Sequence, residues 1–485
     1  MKKMKKIILP IITGLIFVGC TRDDINSDPN SAYTALPTTL ISYSQKALSD
    51  HVTTPNYNTN VFRLTMQYWN EAIYMQESQY DFASRSVSDQ IYSDNYVLVL
   101  NNLSKAKELI NAYVPTATET TWPKIKANQL AIVDMMMVYT YQNLVDTFGN
   151  VPYSQALQLA TTSTPKYDDA ATIYTDLISR LDADINSLDI ATTSSLGTAD
   201  LYYAGNVTKW KKFGSSVLLK LGIALADVNP SLAQSTVTKA IGYGVITTNA
   251  DNCVFAYLAA SPNYNPLYQN LVVEGRQDFV AGKPIIDYML ASNDARISKY
   301  FQKSENGVYK GSAIGLNASA QGGVNTLSLP GTYAMTATTP GIILNATEVN
   351  FYLAEAAARW ATGNPATLYA SAVTASFEQW GLTVADATTY LATKPYDASN
   401  WKKSIGEQAW VALYNQPYTA WNSWRRLDYP QLTPAANAAP ASEGKIPVRM
   451  VYSTRENSTN GANVAAAATA IGGDKLTTKI FWDKN

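Results

Sequence analysis

The chain has 485 residues, 46% of them hydrophobic and 15% charged, with a formal net charge of −1, one histidine and two cysteines. That length can bury a large core without covalent staples, and the charge pattern, free of any Lys/Arg-rich run beyond the N-terminus, excludes the electrostatic footprint of a nucleic-acid binder. A lone histidine excludes a multi-histidine metal cluster.

In chain order, Lys2, Lys3, Lys5 and Lys6 precede an apolar stretch, Ile7 to Val18, which runs into Gly19 and Cys20. This is signal-peptide order, and the stretch is too short to span a hydrocarbon core, which takes about 20 residues. A small residue before cysteine matches a lipoprotein cleavage site, so residues 1–19 are expected to be removed and Cys20 to carry lipid. Residues 20–35 then form a polar tether. Within it Asp24, Asn26 and Asp28 have the spacing that opens a calcium loop. Pro29 stands where that loop needs glycine and Ala35 where it needs glutamate, so no metal is expected there.

Residues 36–485 read as one domain, mainly α. His51, in a polar stretch, is expected in a solvated loop. Helical periodicity is predicted over 122–148, 208–226, 347–361, 365–380 and 401–415. The stripe Ile173, Leu177, Leu181, Ile185, Leu188 gives a further amphipathic helix. Most of these fall into pairs, as in tetratricopeptide-like units that bury each hairpin on the next. The region from about 253 to 341 is rich in Gly, Ser, Asn and Tyr and predicts long loops with a few short strands inserted into the helical scaffold. Residues from Pro430 onward read as a second loop-rich stretch. Cys253 reads as a buried thiol. Glu348, Glu355 and Arg359 share one helix face as ion-paired groups.

Motifs for chemistry are missing. Gly242-Tyr243-Gly244 lacks the third glycine of a dinucleotide loop, and neither a phosphate-binding loop nor a nucleophile elbow occurs, so no cofactor is expected. Two carboxylates converging on a glycoside are the one catalytic arrangement that sequence leaves open. The positive signal is aromatic: 32 Tyr and ten Trp against eleven Phe. Rings with a polar edge stack on sugar faces while their OH or NH groups hydrogen-bond. Tyr139, Tyr141, Tyr174, Tyr352 and Trp360 lie in helical stripes and are assigned to packing. Tyr57, Trp69, Tyr80, Tyr264 and Tyr268 lie in or beside polar stretches and are the candidate ligand-binding residues.

The order of several motifs resembles the SusD/RagB family of nutrient-binding outer-membrane lipoproteins, in its SusD-like-2 branch. The segments that carry the resemblance are Asp24 to Asn30 after the lipid cysteine and Tyr141 to Tyr153 at a helix end. They continue with Asp200-Leu201-Tyr202-Tyr203 leading to Trp210, Asn293 to Arg296, Glu348 to Ala356, Trp424 to Pro430, Ile446 to Met450, and Lys479 to Asp483. The resemblance implies helix pairs of tetratricopeptide type, a lipid anchor on the outer face of the outer membrane, and binding without catalysis. It also implies a partner, a separate TonB-dependent transporter to which captured glycans, or in some branches peptides, are delivered. The family motifs mark the fold, so no binding role is transferred onto them. Two other classes remain alongside this reading: a secreted glycoside-cleaving enzyme with a helical fold, and a structural adhesin.

Overall fold

The computed structural model describes residues 35–56 and 58–484. Cys20 with its signal and tether, and Tyr57, lie outside the described residues. From Pro37 onward the chain forms one compact unit that is mainly helical, with six short strands in three antiparallel pairs among the described residues.

The scaffold helices start where the sequence supplies a cap. Asp169 accepts from the Thr172 amide ahead of Ala170–Ser187, Asn206 from Lys209 ahead of Val207–Ala224, and Asn345 from Glu348 ahead of Ala346–Trp360. Asn229 and Asn364 do the same ahead of Pro230–Tyr243 and Pro365–Gln379, each with proline in the first turn. These side chains satisfy amides that have no partner inside the helix, and proline there forfeits nothing. Trp122–Phe148 stops at Gly149, whose φ of 83° is open to glycine at little cost.

The helices pack in sequential pairs: Trp122–Phe148 on Ala170–Ser187, Val207–Ala224 on Pro230–Tyr243, Ala346–Trp360 on Pro365–Gln379, and Trp401–Ala412 on Pro417–Leu427. Gly222 allows the second pair its closeness, since a Cβ there would sit 2.9 Å from Val237 Cγ2 and 3.1 Å from Thr236 Cγ2. Buried polar ties join the pairs. Glu355, fully buried, takes Arg426 at 2.7 Å and Arg359 at 2.9 Å. Asp146 accepts from Asn422 Nδ2 at 3.0 Å and Trp482 Nε1 at 2.8 Å. Glu348, also ion-paired, meets Lys220 at 3.0 Å inside the core rather than on a solvated helix face. Cys253 is a free, buried thiol.

Strand Cys253–Phe255 pairs antiparallel with Gly341–Leu344, so the loop-rich insertion leaves and rejoins the scaffold at one place. Between these strands the chain forms nothing longer than the nine-residue helix Lys283–Ala291. Strand Phe279–Ala281 reaches back to pair with Trp69–Glu71.

Two expectations are corrected. His51 lies in the last turn of helix Pro37–Thr53, half-buried, with Nδ1 3.1 Å from Asp94 Oδ2. That helix escapes a periodicity reading because polar Ser44, Gln45 and Ser49 occupy its buried face beside Ile41 and Leu48, each hydrogen-bonded there as burial demands. Residues beyond Pro430 are not all loop. Gly461–Ala470 is a ten-residue helix, formed by alanine's intrinsic preference and lacking the wide apolar stripe that marks a helix in sequence.

Candidate ligand-binding clefts

The insertion presents Tyr264 on a segment fixed by its neighbour. Asn265 is fully buried; its amide donates to Ala337 O at 2.8 Å and its Nδ2 to Thr339 O at 2.6 Å, while its Oδ1 accepts from Leu267 N. Pro266 then opens the single helical turn Pro266–Tyr268. This turn brings Tyr268 edge-on to Tyr264, with centroids 5.2 Å apart. Both rings are half-buried.

Across from Tyr264 stands helix Pro37–Thr53, and between them lies a cleft of about 650 Å³. Tyr43, Lys46, Ala47 and Asp50 line it at i, i+3, i+4 and i+7, one face of the helix. Tyr43 is 49% exposed. Thr54, Thr59, Asp94, Leu98 and Gln269 complete the wall. Asp50 accepts from Lys46 Nζ and from the Tyr257 hydroxyl at 2.9 Å. Asp94 faces His51 Nδ1 and accepts from Gln90 Nε2. A carboxylate has about four lone-pair sites, so each retains acceptor capacity toward the cleft. The cleft thus offers two tyrosine rings, acceptors and donors together.

A second cleft, of about 740 Å³, is walled by Tyr203, Tyr333 and Trp380 with Lys209 and Lys299. Thr339 and Pro340 also line it, so Asn265, bonded to Thr339, joins the loop of the first cleft to the wall of the second.

The structure brings Tyr264 and Tyr268 together and places Trp69 and Tyr80 elsewhere. Trp69 is fully buried, its Nε1 donating to the Tyr414 hydroxyl at 2.7 Å. Tyr80 is fully buried, its hydroxyl accepting from Ala435 N at 3.1 Å. Neither ring is open to a ligand. The polar residues beside them in sequence, Gln67, Asn70, Glu71 and Ser78, are themselves buried in hydrogen bonds. Sequence reasoning missed Tyr43, whose signal was its i+3, i+4, i+7 spacing to Lys46, Ala47 and Asp50. It also missed Tyr74, 63% exposed beside exposed Ile73. Among the described residues no group of three His, Cys, Asp or Glu side chains is placed to hold a metal ion. None of their helices is long and apolar enough to cross a membrane.

Comparison with known proteins gives the setting. A search of curated proteins returns no match. A chitin-binding protein of solved structure is 26% identical, with a TM-score of 0.80 over 93% of this chain and 100% of its own. A SusD homologue from Bacteroides uniformis is also 26% identical, with a TM-score of 0.77 over 94% and 100%. A chitin-binding SusD homologue from Flavobacterium johnsoniae, 21% identical, shares the fold with a TM-score of 0.76 over 92% and 99%. The SusD-like-2 family, described as starch-binding and associating with the outer membrane, matches residues 29–453. The chain therefore belongs to the SusD-like family.

Proposed function

We propose that this protein is a lipid-anchored binder at the cell surface. It captures neutral glycans in the cleft between Tyr43 and Tyr264 and delivers them to a TonB-dependent transporter in the outer membrane. The observation that carries the reading is the pair of accessible tyrosines on opposite walls, one on a helix face and one on a segment pinned by Asn265, above the carboxylates Asp50 and Asp94 and the donors Lys46 and Gln269. A sugar needs an apolar platform for its ring face and both donors and acceptors for its hydroxyls. Relatives that bind chitin and a family described as starch-binding support the ligand class.

The test is calorimetric titration with starch-derived and chitin-derived oligosaccharides, comparing wild type with Tyr43→Ala, Tyr264→Ala and the double variant. Loss of a stacking ring lowers affinity by on the order of 1 kcal/mol, and the double variant loses more than either single one. Unchanged affinity in the double variant contradicts the assignment of the cleft. A hydrolytic reading has one observation in its favour, that Asp50 and Asp94 line the same cleft. Shortened oligosaccharides after long incubation with pure protein are the result that would establish it.

A further inference from the structure

The second cleft is built for a different ligand, and its polar groups say which. Its one carboxylate, Asp200, is almost completely buried and already occupied, accepting from Trp210 Nε1 at 2.7 Å, Gln45 Nε2 at 2.8 Å and Gly205 N at 2.8 Å. Five amides line the wall; Asn249 and Asn252 are spent on Ala375 O, the Ala346 amide and each other, and the other three are oriented by chemistry that permits only one assignment. Asn415 Oδ1 accepts from the Arg63 guanidinium at 3.0 Å, a group with donors only. Asn206 Oδ1 accepts from the backbone N–H of Lys209 at 3.0 Å. Asn345 spends its own oxygen on the Glu348 amide, so the Nδ2 it turns to Gln379 is a donor and the Gln379 atom facing it, 2.7 Å away, is Oε1. Each of these three amides therefore has its oxygen engaged and its NH2 left over, without a partner among the described residues.

Two ammonium groups join them. Lys299, half-buried, has no ion-pair partner among the described residues, and Lys209, bonded to the backbone carbonyl Ala250 O at 2.8 Å and lying 5.9 Å from the Tyr203 ring centroid, has no carboxylate partner among them either. Tyr333 and Trp380 meet edge-on with centroids 5.1 Å apart and supply partly open rings. The charged and amide groups available here are thus donors and cations around an aromatic wall, with no free carboxylate. The first cleft differs in carrying two carboxylates, Asp50 and Asp94, among its donors.

We propose that the 740 Å³ cleft is a second saccharide site, selective for acidic sugars, with a carboxylate or sulfate group held by Lys299 and the amide NH2 groups and a sugar ring against Tyr333 and Trp380. A cation meeting an anionic ligand in a partly desolvated cleft forms the stronger, charge-assisted kind of hydrogen bond, and a neutral sugar here leaves Lys299 without an anion.

The test is titration of the full mature protein with four probes: an oligogalacturonate, a sulfated oligosaccharide, a neutral galactan oligosaccharide of the same length, and inorganic sulfate. The site predicts that at least one acidic oligosaccharide binds, at low salt, more tightly than the neutral one, and that raising salt weakens it. Which acidic probe binds identifies the anion. Lys299→Gln should reduce that affinity about tenfold, the scale of one charged hydrogen bond. Lys299→Arg should retain most of it, while Tyr264→Ala leaves it unchanged. Because Tyr264 belongs to the other cleft, failure of the neutral-glycan assignment and failure of this one are separable. Three results overturn the proposal: neither acidic oligosaccharide binds, Lys299→Gln binds the acidic probe as wild type does, or inorganic sulfate binds as tightly as the saccharides.

Discussion

Tyr264 gains its place in the cleft from two neighbours with different duties. Asn265 pins the backbone through Ala337 and Thr339, and Tyr268 supports the ring from the side. Tyr268 does not line the cleft, so Tyr268→Ala is expected to weaken glycan binding less than Tyr264→Ala, by loosening Tyr264 rather than removing a stacking face. Tyr264→Phe keeps the ring and should stay within a few tenths of a kcal/mol of wild type unless the hydroxyl bonds the sugar. Titration of the three variants orders them, and an equal loss in Tyr268→Ala and Tyr264→Ala places Tyr268 on the ligand itself. At Glu71 the chemistry concerns stability. Burial and the neighbouring Glu77 push its carboxyl up to about 8, against the Ser78 amide and Arg276, which act in the other direction. The folded protein therefore holds a proton there that the unfolded chain has released above about pH 4.5, so this group favours folding at low pH and the benefit declines as pH rises toward 8. Denaturant titrations at pH 5 and pH 8 should show a smaller loss of stability with rising pH in Glu71→Gln than in wild type. An identical loss in both refutes the assignment. Residue-level legibility follows the same physics. The half-buried placement of Tyr264 and Tyr268 in the insertion was readable because Pro262 and Pro266 break regular structure around them. Trp69 and Tyr80 were not, since Glu71 and Asn70 look like surface residues until their buried partners are known.

Among the elements, helix boundaries were legible where an Asn cap or an early proline met a strongly periodic run, although Pro230–Tyr243, which has both, went unread. Trp122–Phe148 matches its reading at both ends, and Ala346–Trp360 and Pro365–Gln379 match within one residue. Periodicity failed where buried polar residues replaced apolar ones, as in Pro37–Thr53, and that helix carries one wall of the proposed glycan cleft. Packing of the pairs makes two predictions. Gly222→Val forces a branched side chain against Thr236 and Val237, both branched themselves, and should cost about 1–3 kcal/mol of stability by overpacking. Stability equal to wild type in denaturant unfolding contradicts the close approach of Val207–Ala224 to Pro230–Tyr243. Glu355 joins Ala346–Trp360 to Pro417–Leu427. Burial raises its carboxyl, but Arg426 and Arg359 outweigh burial and hold it below the usual range. Its contribution is therefore present above the ordinary glutamate range and is lost as pH falls through the depressed value. Glu355→Ala removes the buried anion that Arg426 and Arg359 share, with Asp227 still paired to Arg359, and should cost about 3–5 kcal/mol. A loss below 1 kcal/mol would show that the tie is dispensable.

For the molecule as a whole, family membership and the paired-helix scaffold set the frame, and the insertion between Cys253 and Gly341 supplies the loops that face both clefts. The sequence resemblance made this architecture legible from motifs alone. The clefts were not legible, because each is assembled from segments far apart in the chain: helix Pro37–Thr53 with residues 261–269, and residues 200–209 with 332–342 and 379–380. The proposed anchor, Cys20, precedes helix Pro37–Thr53 in the chain. Cys20→Ala should move the protein from the membrane fraction to the soluble fraction after cell lysis, and a variant as firmly membrane-bound as wild type contradicts lipidation at Cys20. Capture of glycan between Tyr43 and Tyr264 is the central claim, and a crystal structure of the protein with a bound starch- or chitin-derived oligosaccharide tests it most directly. The account predicts sugar rings in the 650 Å³ cleft against these two tyrosines, with hydroxyls bonded to Asp50 or Asp94. Sugar bound elsewhere, for instance over Tyr74, with that cleft empty, contradicts it.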